Sequence, residues 1–314
     1  MMTFAFVFPG QGSQSVGMMA AYGDSSIIRA TFDEASSSLG EDLWAMCSEG
    51  PAERLALTVN TQPLMLTAGV AVWRAWLAAG GAKPALMAGH SLGEYSALVA
   101  AQALSLADAV KLVRLRAQAM QDAVPAGTGG MAAILGLSAD LVAQACADAA
   151  QGEEVGAANL NDPNQIVIAG HAGAVARACE LAKSLGAKRA LPLPVSAPFH
   201  SALMRPAAER LRVALDGVDV CTPVIPVINN VDVAKLADPA SIRDALVRQA
   251  YSPVRWIETV HSMAAQGVSR IVECGPGKVL MGLVKRCAAG PEALALSDSQ
   301  SLDTVLALTK EELA

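Results

Sequence analysis

Aromatic residues are scarce in this chain: five Phe, four Trp and three Tyr in 314 residues. Ala, Leu and Val must therefore fill the interior. They can, because 53% of the residues are hydrophobic and only 17% are charged, which also makes disorder unexpected. Basic residues are outnumbered, 23 to 29, and the net charge of −6 argues against non-specific nucleic-acid binding. The six cysteines (47, 146, 179, 221, 274 and 287) are scattered singly, with no C-x-x-C pair. That fits reduced, buried thiols better than a disulfide framework or a zinc site. No long uncharged apolar stretch exists, since Arg74 interrupts the best candidate around 70–79, so no membrane span is expected. The N-terminus lacks the basic region of a signal peptide, and its apolar run is short. A soluble, cytoplasmic protein is expected. The length suits one large α/β domain, or a large one with a small insert.

The most informative segment is Gly89-His-Ser-Leu-Gly93, which matches the Gly-x-Ser-x-Gly nucleophile elbow. Residues 84–89 read as a short buried strand and 92–103 as an Ala- and Leu-rich helix. Such a strand-to-helix turn pushes the serine into a strained, exposed position, and flanking glycines let neighbouring backbone come close. The helix N-terminus offers free N–H groups to a developing oxyanion. Ser91 is therefore the candidate nucleophile, against the alternative of a Gly-bounded turn with an idle serine.

Along the chain, residues 3–8 read as a strand, followed by the Gly-rich loop Gly10-Gln-Gly-Ser-Gln14. Helical periodicity dominates from about 25 to 80, with Asn60-Thr-Gln-Pro63 as a helix start. A long helix is expected over 106–123, opened by the capping box Ser105-x-x-Asp108. From Gly127-Thr-Gly-Gly130 the order is strand 131–135, helix 139–150, strand 155–159, strand 165–169, helix 172–185 and strand 189–193. This β-α-β-β-α-β order is ferredoxin-like and long enough for a small layer of its own. Pro192, Pro194 and Pro198 mark the return to the main body. Strands at 224–228 and 269–273 follow, with helices at about 239–250, 253–266, 277–287 and 301–313. The alternation predicts a parallel sheet with helices on both faces.

A serine hydroxyl needs a base, and four histidines are available. His90 adjoins Ser91, but neighbouring side chains at a tight turn diverge. His171 stands at a helix start, where capping or solvation suits it. His261 lies inside a helix, as a surface or packing residue. His200 sits in the Pro-bounded loop Ser196-Ala-Pro-Phe-His200, placed to project into a site, and is the best candidate by position. No acidic third member stands out, although Glu94 and Glu273 lie near candidate sites; a backbone carbonyl could orient the imidazole instead.

On a helical wheel of residues 106–123, Leu106, Val110, Val113, Ala117 and Met120 form the apolar stripe. Arg114 falls on the solvated face, whereas Arg116 falls beside Ala109, Leu112 and Met120 and points inward. A buried guanidinium must face a carboxylate or line a cavity. Two readings stand: a structural ion pair or snorkelling side chain, and bidentate recognition of a substrate carboxylate. The Gly-rich loop lacks the third glycine of a dinucleotide fingerprint (Ser15 stands there). Gly275-Pro-Gly-Lys278 lacks the first glycine and the hydroxyl residue of a Walker loop, and reads as a tight turn before a helix.

Together these pieces resemble the malonyl-CoA:acyl carrier protein transacylases of fatty-acid synthesis. The motifs are Phe8-Pro-Gly-Gln-Gly-Ser-Gln14, Gly89-His-Ser-Leu-Gly-Glu-Tyr-Ser96, Gly127-Thr-Gly, Asn159 with the downstream Gln-Ile-Val-Ile-Ala-Gly, Pro198-Phe-His200, Asn229-Asn-Val, Arg248-Gln-Ala-Tyr and Glu273-x-Gly-Pro-Gly277. They occur in family order over nearly the whole chain. The resemblance implies an α/β-hydrolase-like large subdomain (1–126 and 197–314) with an inserted ferredoxin-like small subdomain (127–196).

It further implies that Ser91 takes the acyl group, with His200 as general base and then acid. The main-chain carbonyl of Gln249 would orient that histidine. The N–H groups of Gln11 and Leu92 would form the oxyanion hole, and Arg116 would bind the malonyl carboxylate. Phe199 would crowd the α-carbon against a methyl branch. The partners implied are malonyl-CoA and acyl carrier protein, with no cofactor, metal, nucleic acid or membrane, and a monomeric state. Lys188-Arg189 and Lys285-Arg286 are candidate carrier-docking pairs, or simply solvated surface. The rival readings are a serine esterase or thioesterase on the same elbow, a non-catalytic carrier-binding module, and the same chemistry in a polyketide pathway.

Overall fold

The computed structural model describes residues 3–195 and 197–310. The last residues of the helix expected over 301–313, and Ser196 of the histidine loop, lie outside them. Among the described residues, no helix is long and apolar enough to cross a membrane.

Five parallel strands form one sheet, ordered β7-β2-β1-β8-β9. They are β1 (Thr3–Phe8), β2 (Leu86–Gly89), β7 (Val227–Ile228), β8 (Val268–Cys274) and β9 (Glu292–Leu296). The central strand explains its own burial. Phe4, Phe6 and Phe8 point to one face, where the Trp73 and Trp76 rings meet Phe6 edge-on. Ala5 and Val7 point to the other, against Trp256, Val260, Leu280 and Leu283. A strand covered on both faces has no polar alternation to show.

The helices follow the chain. Between β1 and β2 run α1 (Ser26–Leu39), α2 (Leu43–Glu49), α3 (Ala52–Ala56) and α4 (Thr58–Ala78). The structure thus breaks the periodic stretch of 25–80 into four, and begins α4 at Thr58 rather than at Asn60–Pro63. Pro63 stands inside that helix. After the elbow come α5 (Gly93–Ala100) and α6 (Leu106–Asp122); the Ser105 hydroxyl caps α6 by accepting from the Asp108 amide at 3.0 Å. Every member of the expected α6 apolar stripe is buried.

A second sheet, antiparallel and ordered β4-β5-β3-β6, is built from β3 (Gly129–Leu135), β4 (Val155–Asp162), β5 (Gln165–His171) and β6 (Arg189–Pro192). Helices α7 (Ala139–Ala150) and α8 (Ala172–Ser184) cover one face, packing on Ala132, Ile134, Ile166 and Ile168. The other face carries Met131, Ala133, Val167 and Ala169, against Leu193, Val195 and Phe199. The remaining helices are α9 (Arg205–Asp216), α10 (Pro239–Gln249), α11 (Trp256–Ala265), α12 (Val279–Cys287) and α13 (Ser299–Lys310). Strand β9 was not expected from the sequence.

Parallel strands send their carboxyl ends to one edge of the sheet, where α/β folds bind ligands. Here that edge carries the loop after β1, the Ser91 turn after β2 and Asn229–Asn230 after β7. The Gly275–Lys278 turn after β8 joins them there, with helix α12 beginning at Val279.

Candidate active site

The turn between β2 and α5 is possible only with glycine at its flanks. A Cβ on Gly89 would lie 1.8 Å from the Gly93 carbonyl carbon, and one on Gly93 would lie 2.0 Å from the Phe8 carbonyl oxygen. Strand β1 continues into this crossing, since a Cβ on Gly10 would meet the His90 carbonyl oxygen at 2.6 Å. The loop carrying Gln11 is thereby pressed against the turn carrying Ser91 and Leu92. Ser91 itself has φ +53°, in the left-handed region that costs a non-glycine residue roughly 1–3 kcal/mol. His200 has φ +59°, so both candidate residues sit in this uncommon conformation.

The Ser91 hydroxyl oxygen is 2.6 Å from Nε2 of His200. On the far side of the ring, Nδ1 faces two carbonyl oxygens, Gln249 at 2.9 Å and Ser252 at 3.2 Å. Two acceptors fix the proton on Nδ1. Nε2 is then the unprotonated nitrogen, and the serine hydroxyl donates to it. Burial, followed by the nearby Arg116 charge, pushes the His200 imidazole down to about 3, so it is neutral at neutral pH. Among the described residues the Nδ1 partners are main-chain carbonyls and not a carboxylate.

Arg116 is 2% exposed. One terminal nitrogen donates to Oε1 of Gln62 at 2.8 Å. The other donates to Oε1 of Gln249 at 3.0 Å and reaches the Ser91 hydroxyl oxygen at 3.3 Å. Among the described residues its Nε has no hydrogen-bond partner. The Tyr95 ring lies 5.5 Å from the guanidinium carbon. Neutral amide oxygens therefore hold a charge that burial disfavours. No carboxylate oxygen lies within ion-pair distance of it among the described residues; the Glu94 charge acts on it without a direct bond.

These groups open into a cavity of about 420 Å³. Gln11, Ser91, Leu92, Arg116, Phe199 and His200 all line it, and the bare face of the second sheet supplies Met131, Ala133 and Val167 as an apolar wall. Gln249 lies behind, under Arg116 and His200, fully buried. All seven residues singled out from the sequence are thus brought to one place.

The other histidines are engaged elsewhere. His90 turns away from the serine, its Nε2 lying 2.8 Å from Oδ1 of Asn161 on β4. The His171 ring accepts from the Glu154 amide rather than capping α8. His261 donates to the Cys287 carbonyl oxygen at 2.7 Å. Arg114 is less solvated than its wheel position implied, because Glu41 binds it in bidentate fashion at 2.8 and 2.9 Å. Of the basic pairs, Lys188, Arg189, Lys285 and Arg286 are all exposed, and Arg286 is committed to the buried Asp162 at 2.6 Å.

The contacts of three further residues were not read from the sequence, although Glu94 was noted there as near a candidate site and Asn230 lay within a quoted motif. Gln62, taken as part of a helix start, holds Arg116. Asn230 clasps the elbow: its amide nitrogen donates to the Gly89 carbonyl at 2.7 Å, and its oxygen accepts from the Ser91 N–H at 2.8 Å. Glu94 accepts from Gln249 and from the Asn230 N–H. The doubled Asn229-Asn230 after an apolar strand was the one sequence signal pointing at the second of these.

Residues 5–301 match the family model described as the acyl transferase domain. The malonyl CoA-acyl carrier protein transacylase of Salmonella typhimurium is 56% identical over 98% of this chain and 99% of its own length. That of Escherichia coli K12 is 55% identical over 98% of this chain and all of its own. Among solved structures, the acyl-carrier-protein S-malonyltransferase of Burkholderia pseudomallei 1710b superposes with a TM-score of 0.96 at 58% identity, covering 98% of this chain and 100% of that one. A malonyl-transacylase solved in complex with a type II PKS acyl-carrier protein gives 0.96 at 51% identity, over 98% of this chain and 99% of that one. The chain belongs to the acyl transferase domain family and, within it, to the malonyl-CoA:acyl carrier protein transacylases.

Proposed function

We propose that this protein moves a malonyl group from malonyl-CoA to the phosphopantetheine thiol of an acyl carrier protein through a covalent malonyl-serine. The observation that carries the reading is the buried Arg116 guanidinium, held by amide oxygens 3.3 Å from the nucleophile. An ordinary esterase site gains nothing from an interior cation; an acyl group ending in a carboxylate needs one.

The substrate carboxylate binds Arg116 and sets the thioester carbonyl over Ser91. The Ser91 oxygen attacks that carbon while its proton passes to Nε2 of His200. The N–H groups of Gln11 and Leu92 take the oxyanion; removing one such donor costs about 2.7–4 kcal/mol. Collapse breaks the carbon–sulfur bond, and the coenzyme A thiol leaves with the proton from Nε2. The phosphopantetheine thiol then enters, gives its proton to Nε2 and reverses the steps. Burial holds His200 down most and the Arg116 charge adds to it; binding of the carboxylate balances that second part and so strengthens the base when the right substrate is present. Phe199 crowds the α-carbon.

The reading treats 127–196 as a ferredoxin-like small subdomain set into an α/β-hydrolase-like large one (1–126 and 197–314). The order β4-β5-β3-β6 supports this. It has the protein working as a monomer in the cytoplasm, where its unpaired cysteines stay reduced. Fatty-acid synthesis is the pathway. A polyketide carrier is the second reading, favoured by the similar structure that holds one. Incubation with malonyl-CoA and each purified holo-carrier, followed by carrier mass, tests both. Malonylation of the fatty-acid carrier supports the proposal; release of free malonate with neither carrier loaded would make the protein a thioesterase.

A further inference from the structure

Glu94 lies in the first turn of α5 and is 2% exposed, yet no step of the transfer uses it. Its Oε2 accepts from the Asn230 main-chain N–H at 3.0 Å and from Nε2 of Gln249 at 2.8 Å. The same Gln249 nitrogen donates to the Ser91 carbonyl oxygen at 3.0 Å, and Oε1 of Gln249 accepts from Arg116 at 3.0 Å. These contacts allow one orientation of the amide. Turned over, its oxygen would face the Glu94 and Ser91 oxygens, and its NH₂ would face the guanidinium. Three attractive contacts would become three repulsive ones.

We propose that Glu94 is a positioning residue for acyl selection: by fixing the Gln249 amide it fixes the Arg116 guanidinium, and so the preference for an acyl group that carries a carboxylate. This rests on the malonyl-transfer reading. What matters is an acceptor oxygen at the Oε2 position, not a negative charge. Burial raises the Glu94 carboxyl to about 7, and the carboxyl oxygen accepts both bonds whether or not the group is ionised. Glutamine can place its carbonyl oxygen at the same point. Aspartate keeps the charge but withdraws the oxygen by one methylene, and methionine removes the oxygen while keeping the bulk.

The test is the ratio of kcat/KM for malonyl-CoA to that for acetyl-CoA in wild type, Glu94→Gln, Glu94→Asp and Glu94→Met. Acetyl-CoA uses Ser91 and His200 but has nothing to offer Arg116. The ratio should fall about tenfold or more in Glu94→Asp and Glu94→Met, the loss of one buried hydrogen-bonded contact to a charged group. It should stay within about threefold of wild type in Glu94→Gln, which keeps the acceptor. Whichever of the Asp and Met variants folds, by circular dichroism, is sufficient. An unchanged ratio in these variants, including an equal loss with both substrates, overturns the inference, as does a Glu94→Gln ratio that falls as far as that of Glu94→Asp. A wild type that takes malonyl while the ratio ignores Glu94 sinks this inference alone; a wild type that takes no malonyl sinks the parent reading with it.

Discussion

The Arg116 guanidinium stands 3.3 Å from the Ser91 hydroxyl oxygen, although the two residues come from different helix–turn units and share no local sequence relationship. The Ser91 hydroxyl oxygen is thus shared between the His200 imidazole, at 2.6 Å, and a cation. On the proposed reading, the base takes the proton and the cation chooses which acyl group arrives.

Arg116→Ala separates these two roles. Losing a buried charged contact costs roughly 2–5 kcal/mol, so kcat/KM for malonyl-CoA should fall about 30- to 4000-fold. Acetyl-CoA should lose far less, or gain. Steady-state kinetics with both thioesters checks this, and equal losses would leave Arg116 as mere scaffolding.

The neutral His200 ties stability to pH. Its imidazole is pushed from 6.5 to about 3 by burial, then by Arg116. Below 6.5 the unfolded chain takes up a proton that the folded one refuses. The stability due to a neutral His200 is therefore complete above that pH and is lost as pH falls toward 3, at about 1.4 kcal/mol per unit. Between pH 7 and 5, urea melts should show wild type losing about 2 kcal/mol more than His200→Asn. Parallel losses would mean that the imidazole is not depressed.

Gly93→Ala should abolish the elbow. The new Cβ would sit 2.0 Å from the Phe8 carbonyl oxygen, on backbone that cannot swing aside. The cost exceeds the roughly 1–3 kcal/mol of ordinary overpacking, because β1 must separate from α5. The expected outcome is loss of acylation together with a lowered Tm; an active, equally stable variant would show that the crossing is looser than its geometry.

Phe199→Ala should admit a branched acyl group. The ring lines the cavity beside His200. Relief of one methyl clash is worth about 10- to 200-fold in relative kcat/KM for methylmalonyl-CoA over malonyl-CoA. An unchanged ratio in competition assays would assign that selectivity elsewhere.

Much of this site could be read from the chain because its signals are local. The glycines around Ser91 and the inward sector of α6 that holds Arg116 are patterns within a few residues. What escaped depends on partners far apart: Glu94 and Gln249 are 155 positions apart, and Gln62 and Arg116 are 54 apart. No periodicity reports such meetings. Strand β9 was missed for a related reason. Glu292–Leu296 is short and rich in Ala and Leu, and only pairing with β8 makes it extended. The breaks at Gly40 and at Gly50-Pro51 were visible as residues, but the overall helical period hid them.

The most direct test of the central claim is the intact mass of the protein after brief exposure to malonyl-CoA, with peptide mapping of any adduct. The account predicts one malonyl group, on Ser91, in wild type and none in Ser91→Ala. An unmodified wild type, or an adduct that persists in Ser91→Ala, would contradict it.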